Sequence, residues 1–211
     1  MDDFSLINNI IMTFSNFIHY FVNNKDIYPK IESYIDILIN FCLIEEPYDK
    51  LEDGINLLEE ILTNCTILPK HIWKFFIPLI RTFIGDDEEQ IINDIEQEFY
   101  GSENIMGITK IICYYIYKDD GNFLSLTDEK GKQYLYYIIK YIREIINICD
   151  KNDECADYIY IFDICNTLFD KYRNKLEIIS EEILNNILLN RGKKNHFSNY
   201  LCFLLSTCFI Y

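Results

Sequence analysis

The sequence predicts an all-α protein, built as an α-solenoid in which antiparallel helix pairs stack in chain order. Apolar residues recur with helical spacing along almost the whole chain, as in the stripe Ile31, Tyr34, Ile35, Leu38, Ile39 and Cys42. The breaks between such stripes are short and polar. Only 7 Gly and 4 Pro occur in 211 residues, too few for the many turns of an all-β fold.

Nine or ten helices follow from these stripes and breaks. They are predicted near residues 3–23, 30–43, 50–64, 69–84, 88–100, 103–117, 131–149, 155–172, 179–190 and 196–211. Helix pairs then recur about every 40–47 residues, which is the period of HEAT and armadillo repeats. We expect one HEAT-like segment over 1–211 that belongs to a longer solenoid or docks against another subunit, because the last predicted helix is apolar on nearly all sides and needs neighbours there.

Several predicted helix starts carry capping chemistry. Asp49 with Glu52, and Asp86 with Glu89, have the three-residue spacing of a capping pair. Pro69 suits the first turn of a helix, where its missing N–H costs nothing.

The charge balance narrows the classes of function. Asp and Glu outnumber Lys and Arg by 34 to 19, which gives a formal net charge of −15. A field of that sign repels phosphate backbones and attracts basic proteins, so the predicted partners are basic proteins and not nucleic acids. The alternative meaning of the acidity is solubility alone.

Cysteine usage and the termini bear on the compartment. The 8 cysteines form no C-x-x-C pair, which is typical of reduced thiols in an intracellular protein. The acidic start is unlike a secretory signal. The apolar stretch 197–211 is shorter than the roughly 20 residues that span a bilayer. We therefore expect a protein of the cytoplasm and nucleus without membrane attachment.

No pattern of residues predicts an enzyme. His19, His71 and His196 lie outside any metal-ligand or nucleophile motif, and no phosphate-binding loop occurs. The paired acids fall in predicted loops or first turns, where exposure does not give a general acid the raised pKa it needs. The sequence predicts no catalytic residue, no cofactor and no metal.

Acidic clusters in the loops are the candidate partner-binding residues. In a solenoid, the loops between helices emerge along the rims, where carboxylates would meet Lys- or Arg-rich segments. The alternative is that the same acids only favour helix N-termini. The candidate residues are Glu45, Glu46, Asp86, Asp87, Glu88 and Glu89.

Three stretches resemble the importin-β superfamily of nuclear transport receptors. In 48–83 an acidic helix and a turn with Pro precede Trp73 and a Pro-Leu-Ile step at 78–80. The stretch 105–125 is similar to a segment of the family that has a helix, an acidic loop and a Leu-Ser ending. The stretch 133–191 is similar to a Tyr-Leu helix, a linker with Glu-Cys at 154–155 and a helix pair.

The resemblance implies a karyopherin-like function. It implies binding of basic import cargo, of Phe-Gly repeats of pore proteins and of the small GTPase Ran, with Trp73 as a core anchor or a Phe-Gly pocket. The family's Ran-binding region has no counterpart in this sequence. The rival hypothesis is a compact helical bundle that binds an amphipathic partner helix.

Overall fold

Seven α-helices make up most of what the structure, a computed structural model, describes, namely residues 3–85, 102–151 and 157–175. Those residues contain no strand, so the all-α prediction is confirmed for them. The predicted helices 88–100, 179–190 and 196–211 lie outside the described residues. The observed bounds are α1 Asp3–Phe21, α2 Tyr28–Asn40, α3 Pro47–Asn64, α4 Phe76–Ile84, α5 Ile105–Lys118, α6 Tyr134–Lys151 and α7 Tyr158–Lys171.

Two of the predicted helices are α-helical over only part of their length. The end of α2 widens into a π-helical turn, Phe41–Glu45, in which the Glu46 N–H donates to the Phe41 carbonyl over 2.9 Å. A 3₁₀ helix, Lys70–Phe75, precedes α4. Apolar spacing does not distinguish these from α-helix, because both keep the same side chains turned toward the core.

The capping prediction at Asp49 is wrong. The first residue of α3 is Pro47, Glu46 precedes it as the capping residue without a side-chain hydrogen bond, and Asp49 lies inside the first turn. Proline is well suited to this position. The prediction for Pro69 is confirmed in part, since Pro69 stands immediately before the 3₁₀ helix. Asp86 and Glu89 lie outside the described residues.

The chain divides into two compact units, Met1–Asp119 and Asp120–Tyr211. In the first unit, α3 packs against α1, α2 and α5, and α4 packs against α5. The α2 helix and its π-helical turn contact the 3₁₀ helix and α4. Buried side chains surround most of α3, as expected for a helix with neighbours on several sides: Leu51, Ile55, Leu57, Leu58, Ile61 and Leu62.

Four polar ties in the first unit have nearly the same separation along the chain. They join Lys50 to Asn8 (2.6 Å), His19 to Glu60 (2.7 Å), Tyr28 to His71 (3.1 Å) and the Tyr115 hydroxyl to the Ile72 carbonyl (2.7 Å). Their partners are 42, 41, 43 and 43 residues apart. Other ties of the unit span between 35 and 53 residues, so the separations vary around roughly one predicted helix pair.

In the second unit, α6 packs against α7 and against a 3₁₀ turn, Phe123–Ser125. A tight turn centred on Asp128 leads into α6. The Asp128 carboxylate accepts the N–H groups of Lys130 (2.9 Å) and Lys132 (2.7 Å) and the hydroxyl of Tyr137 (2.5 Å). This turn delays the start of α6 to Tyr134, three residues after the predicted start at 131.

A glycine allows α3 to approach the π-helical turn closely. A Cβ atom at Gly54 would lie 2.8 Å from Cδ2 of Leu43 and 2.9 Å from Cβ of Cys42. Distances this short are well inside van der Waals contact, so no larger residue fits without movement. Gly54 thus allows α3 to lie this close to the π-helical turn.

We expect the Cys42 thiol to resist modification. It is buried, and burial, with a smaller contribution from the Asp53 carboxylate, raises its pKa from the ordinary 9.0 to about 12. Iodoacetamide at mildly alkaline pH should therefore label Cys42 far more slowly in the native protein than in urea, while the half-buried Cys113 labels sooner. Mass spectrometry of the peptides measures both rates, and equal native rates would contradict the prediction.

The same thiol should make the protein sensitive to alkali. Unfolded Cys42 loses its proton near pH 9, while the folded state holds it until about pH 12. The free energy of unfolding should therefore fall as pH rises through this window, because the unfolded state binds fewer protons there. Denaturant titrations across the window should show a shallower fall in the Cys42→Ala variant.

Candidate partner-binding surface

Two of the predicted partner-binding residues lie at the corner between α2 and α3. Glu45 ends the π-helical turn and Glu46 precedes α3, and both are exposed. The Asn40 amide donates to the Glu45 carboxylate over 2.9 Å, and Glu45 stays exposed to solvent. Asp86, Asp87, Glu88 and Glu89 lie outside the described residues.

The acidic corner extends along α3. Asp49 and Glu52 are also exposed, at steps of about one helical turn beyond Glu46. We call these four carboxylates, Glu45, Glu46, Asp49 and Glu52, the α3 acidic face. The sequence predicts a binding role only for Glu45 and Glu46, because Asp49 and Glu52 have the spacing of a capping pair.

Lysines near this part of the molecule are engaged in internal ties. Lys50, which is buried, donates to Asp53 over 3.2 Å. Lys110 bonds to Glu59, Lys74 to Asp36, and Lys118 to the Cys65 carbonyl. Three of these four lysines are thus paired with carboxylates that do not belong to the α3 acidic face.

The net charge is unevenly shared between the two units. The first unit carries 21 acidic and 8 basic side chains, a net charge of −13, and the second carries 13 and 11, a net charge of −2. The first unit therefore has much the stronger negative field of the two.

A buried polar network joins α2 to the 3₁₀ helix before α4. His71 Nδ1 lies 2.6 Å from the Asp36 carboxylate, and His71 Nε2 lies 3.1 Å from the Tyr28 hydroxyl. One arrangement satisfies all three groups: Nδ1–H donates to Asp36 and the Tyr28 hydroxyl donates to Nε2. A single sequence offers no signal for this network, since its members are 35 and 43 residues apart.

Tyr28, His71 and Asp36 are hydrogen-bonded in the same order as the nucleophile, base and acid of a catalytic triad. Tyr28 is buried, however, and its pKa is raised by that burial and by the nearby Glu32 and Asp36 carboxylates. An activated nucleophile needs a lowered pKa and access to a substrate. The network is therefore a structural tie between two elements.

Replacing Asp36 with asparagine should destabilise the protein by about 2 kcal/mol, because the His71 imidazole and the Lys74 ammonium lose their charged acceptor. The matched change is Lys74→Gln, which removes a side chain that is 51% exposed and should cost less than about 1 kcal/mol. Urea titrations measure both. Equal losses would mean that the His71 bond contributes nothing beyond the surface pair.

Trp73 packs within the first unit. Its ring centroid lies 5.1 Å from that of Tyr115 on α5 and 6.2 Å from that of Phe76. The ring therefore makes the core contacts expected of an anchor, although it lies on a 3₁₀ helix instead of an α-helix.

In the described parts of the chain, no three His, Cys, Asp or Glu side chains are placed to hold a metal ion. None of the helices described has the length and apolar character needed to cross a membrane. No family model, curated protein or solved structure matches the chain.

Proposed function

We propose that the chain is a non-catalytic, importin-like segment of an α-solenoid that binds Lys- and Arg-rich segments of other proteins for transport into the nucleus. The observation that carries this proposal is the confinement of a net charge of −13 to the first unit, where the α3 acidic face is exposed. Opposite charge raises the rate of encounter and selects basic partners.

The solenoid part of the proposal is supported by the order of packing. Helices α1, α3 and α5 contact one another in chain order, and four polar ties span 41 to 43 residues within a wider range of 35 to 53. A stack of helix pairs gives this pattern, since each pair touches only the next. The recurrent separation agrees with the period of about 40–47 residues in HEAT and armadillo arrays.

Small-angle scattering would distinguish the solenoid from the rival helical bundle. A globule of 211 residues has a radius of gyration of about 17 Å. A solenoid of the same length should exceed this value clearly. A radius at the globular value would favour the bundle.

Binding should be tested with a fluorescent Lys- and Arg-rich peptide, read by anisotropy. The triple variant Glu45→Lys, Glu46→Lys, Asp49→Lys should weaken binding about tenfold or more, equivalent to ~1.4 kcal/mol. The matched control reverses three exposed acids of the second unit, Asp120, Glu129 and Asp163. Both triples change the net charge equally, so equal loss of affinity would overturn the assignment to the α3 acidic face.

The nuclear setting needs its own measurement. Immobilised protein should retain basic nuclear proteins from a cell extract at low salt and release them as salt rises, because exposed charge pairs are screened. Mass spectrometry identifies what is retained. Recovery of only neutral partners, insensitive to salt, would contradict the transport proposal.

A further inference from the structure

The first helix has an apolar side that the described residues of its unit leave exposed. Ile11, Ile18 and Val22 are buried, while a second apolar row follows α1 at helical spacing. In this second row Leu6 is 53% and Phe17 is 42% exposed. The complete row is Leu6, Ile10, Phe14, Phe17 and Phe21.

The neighbouring helix continues this surface. The turn at residues 22–27 reverses the chain direction, so that α2 lies beside α1. The Phe14 ring of α1 lies 6.3 Å from the Tyr34 ring of α2. Tyr34 is exposed, and Ile31 and Leu38, one turn on either side of it, are partly exposed. We call the α1 row together with Ile31, Tyr34 and Leu38 the α1–α2 apolar face.

This face is electrically neutral along α1. Residues 4–24 contain no Asp, Glu, Lys or Arg, in a chain of which 25% is charged. Beyond Asp3 at its start, α1 therefore offers a basic amphipathic helix no acid to pair with, and it has no Lys or Arg to bind anionic lipid headgroups. The surface suits a partner that is itself apolar and uncharged.

The two ends of the face carry opposite charges. Lys25 lies in the turn between α1 and α2 and Lys30 in the first turn of α2, and both are exposed, with the exposed Asp26 between them. Glu45 and Glu46 are exposed beyond the other end of α2. About 20 Å separates the ends at 1.5 Å per residue. A second copy placed antiparallel across a two-fold axis brings each lysine pair to a glutamate pair.

We propose that the α1–α2 apolar face binds the same face of a second copy of this chain, with Lys25 and Lys30 of one protomer against Glu45 and Glu46 of its partner. The dimer and the basic partner of the proposed function would share Glu45 and Glu46, and Phe17→Asp separates the two, because it should weaken the dimer and leave binding of the basic peptide unchanged. Each copy has a net charge of −15, but the neutral α1 row keeps like charges out of the contact. Repulsion between the remaining acids is screened beyond about 8 Å at physiological ionic strength.

Sedimentation equilibrium at physiological ionic strength tests the dimer. We expect wild type to be dimeric, and Phe17→Asp to weaken dimerisation by about a hundredfold or more. Met12→Asp is the matched control, since it adds the same charge at a 61% exposed position on the opposite side of α1. Circular dichroism confirms that both variants fold. Monomeric wild type, or equal weakening by the two variants, would overturn the proposal.

Charge exchange tests the antiparallel arrangement. The variant Lys25→Glu, Lys30→Glu places acid against acid, and Glu45→Lys, Glu46→Lys places base against base, so each alone should be monomeric. An equimolar mixture should form a heterodimer, because both ends are then complementary. Failure of the mixture to associate, while wild type is dimeric, would refute this pairing of the ends. Retention of an amphipathic peptide by monomeric wild type would instead identify a partner helix as the occupant.

Discussion

Replacing Gly54 with valine is expected to lower the free energy of unfolding by about 3 kcal/mol. The first added carbon would lie 2.9 Å from Cβ of Cys42 and 2.8 Å from a methyl of Leu43. The leucine methyl can rotate, but the Cys42 Cβ is fixed to the backbone of the π-helical turn. The substitution therefore forces α3 and that turn apart, and two further methyl groups increase the displacement.

The control for this substitution is a second helical glycine. A Cβ at Gly107 on α5 would approach Ile55 Cγ2 at 3.0 Å, and no contact shorter than 3.0 Å is made. Gly107→Ala should change stability by no more than about 1 kcal/mol, because the better helix propensity of alanine offsets the crowding. Denaturant midpoints measure both variants. A mild effect of Gly54→Val would show that the π-helical turn moves freely.

Replacing Phe76 with alanine should cost about 3–5 kcal/mol. Phe76 is fully buried at the start of α4, and its ring meets Tyr115 of α5 edge to face at 5.1 Å. Its loss opens a cavity among rings that also include Trp73, and the rigid aromatic neighbours cannot close it. The contact between α4 and α5 should weaken accordingly.

The comparison for Phe76 is an exposed residue of the same unit. Ile67 is 83% exposed, so Ile67→Ala should change stability by less than about 0.5 kcal/mol. The Trp73 emission spectrum gives a second measurement, and we expect a shift to longer wavelength in Phe76→Ala as water reaches the indole. A loss of stability with an unchanged spectrum would place the damage elsewhere.

Helix positions could be predicted well from the apolar stripes. The stripe of α3 predicts a helix over 50–64, and the structure has Pro47–Asn64. The π-helical turn and the 3₁₀ helix could not be predicted, because they depend on contacts between elements. The first depends on Gly54, which lies 11 residues beyond Leu43 in the sequence and directly against it in space.

The candidate surface could be predicted only in part. Glu45 and Glu46 are exposed as expected, because no apolar stripe includes them. The helical spacing of Asp49 and Glu52 could have placed them on the α3 acidic face, but the two residues were interpreted as a capping pair. The charge asymmetry could not be predicted, because it appears only once the structure divides the chain at residue 119. The His71 network could not be predicted either, because it depends on the packing of α2 beside the 3₁₀ helix.

The recurrent separation of the polar ties affects how the protein acquires its structure during translation. The partners of these four ties are at most 43 residues apart, so each loop costs less entropy to close than a contact of longer range. All four lie before residue 119. Synthesis at about 5–20 residues per second leaves several seconds in which they can form while the following residues are still on the ribosome.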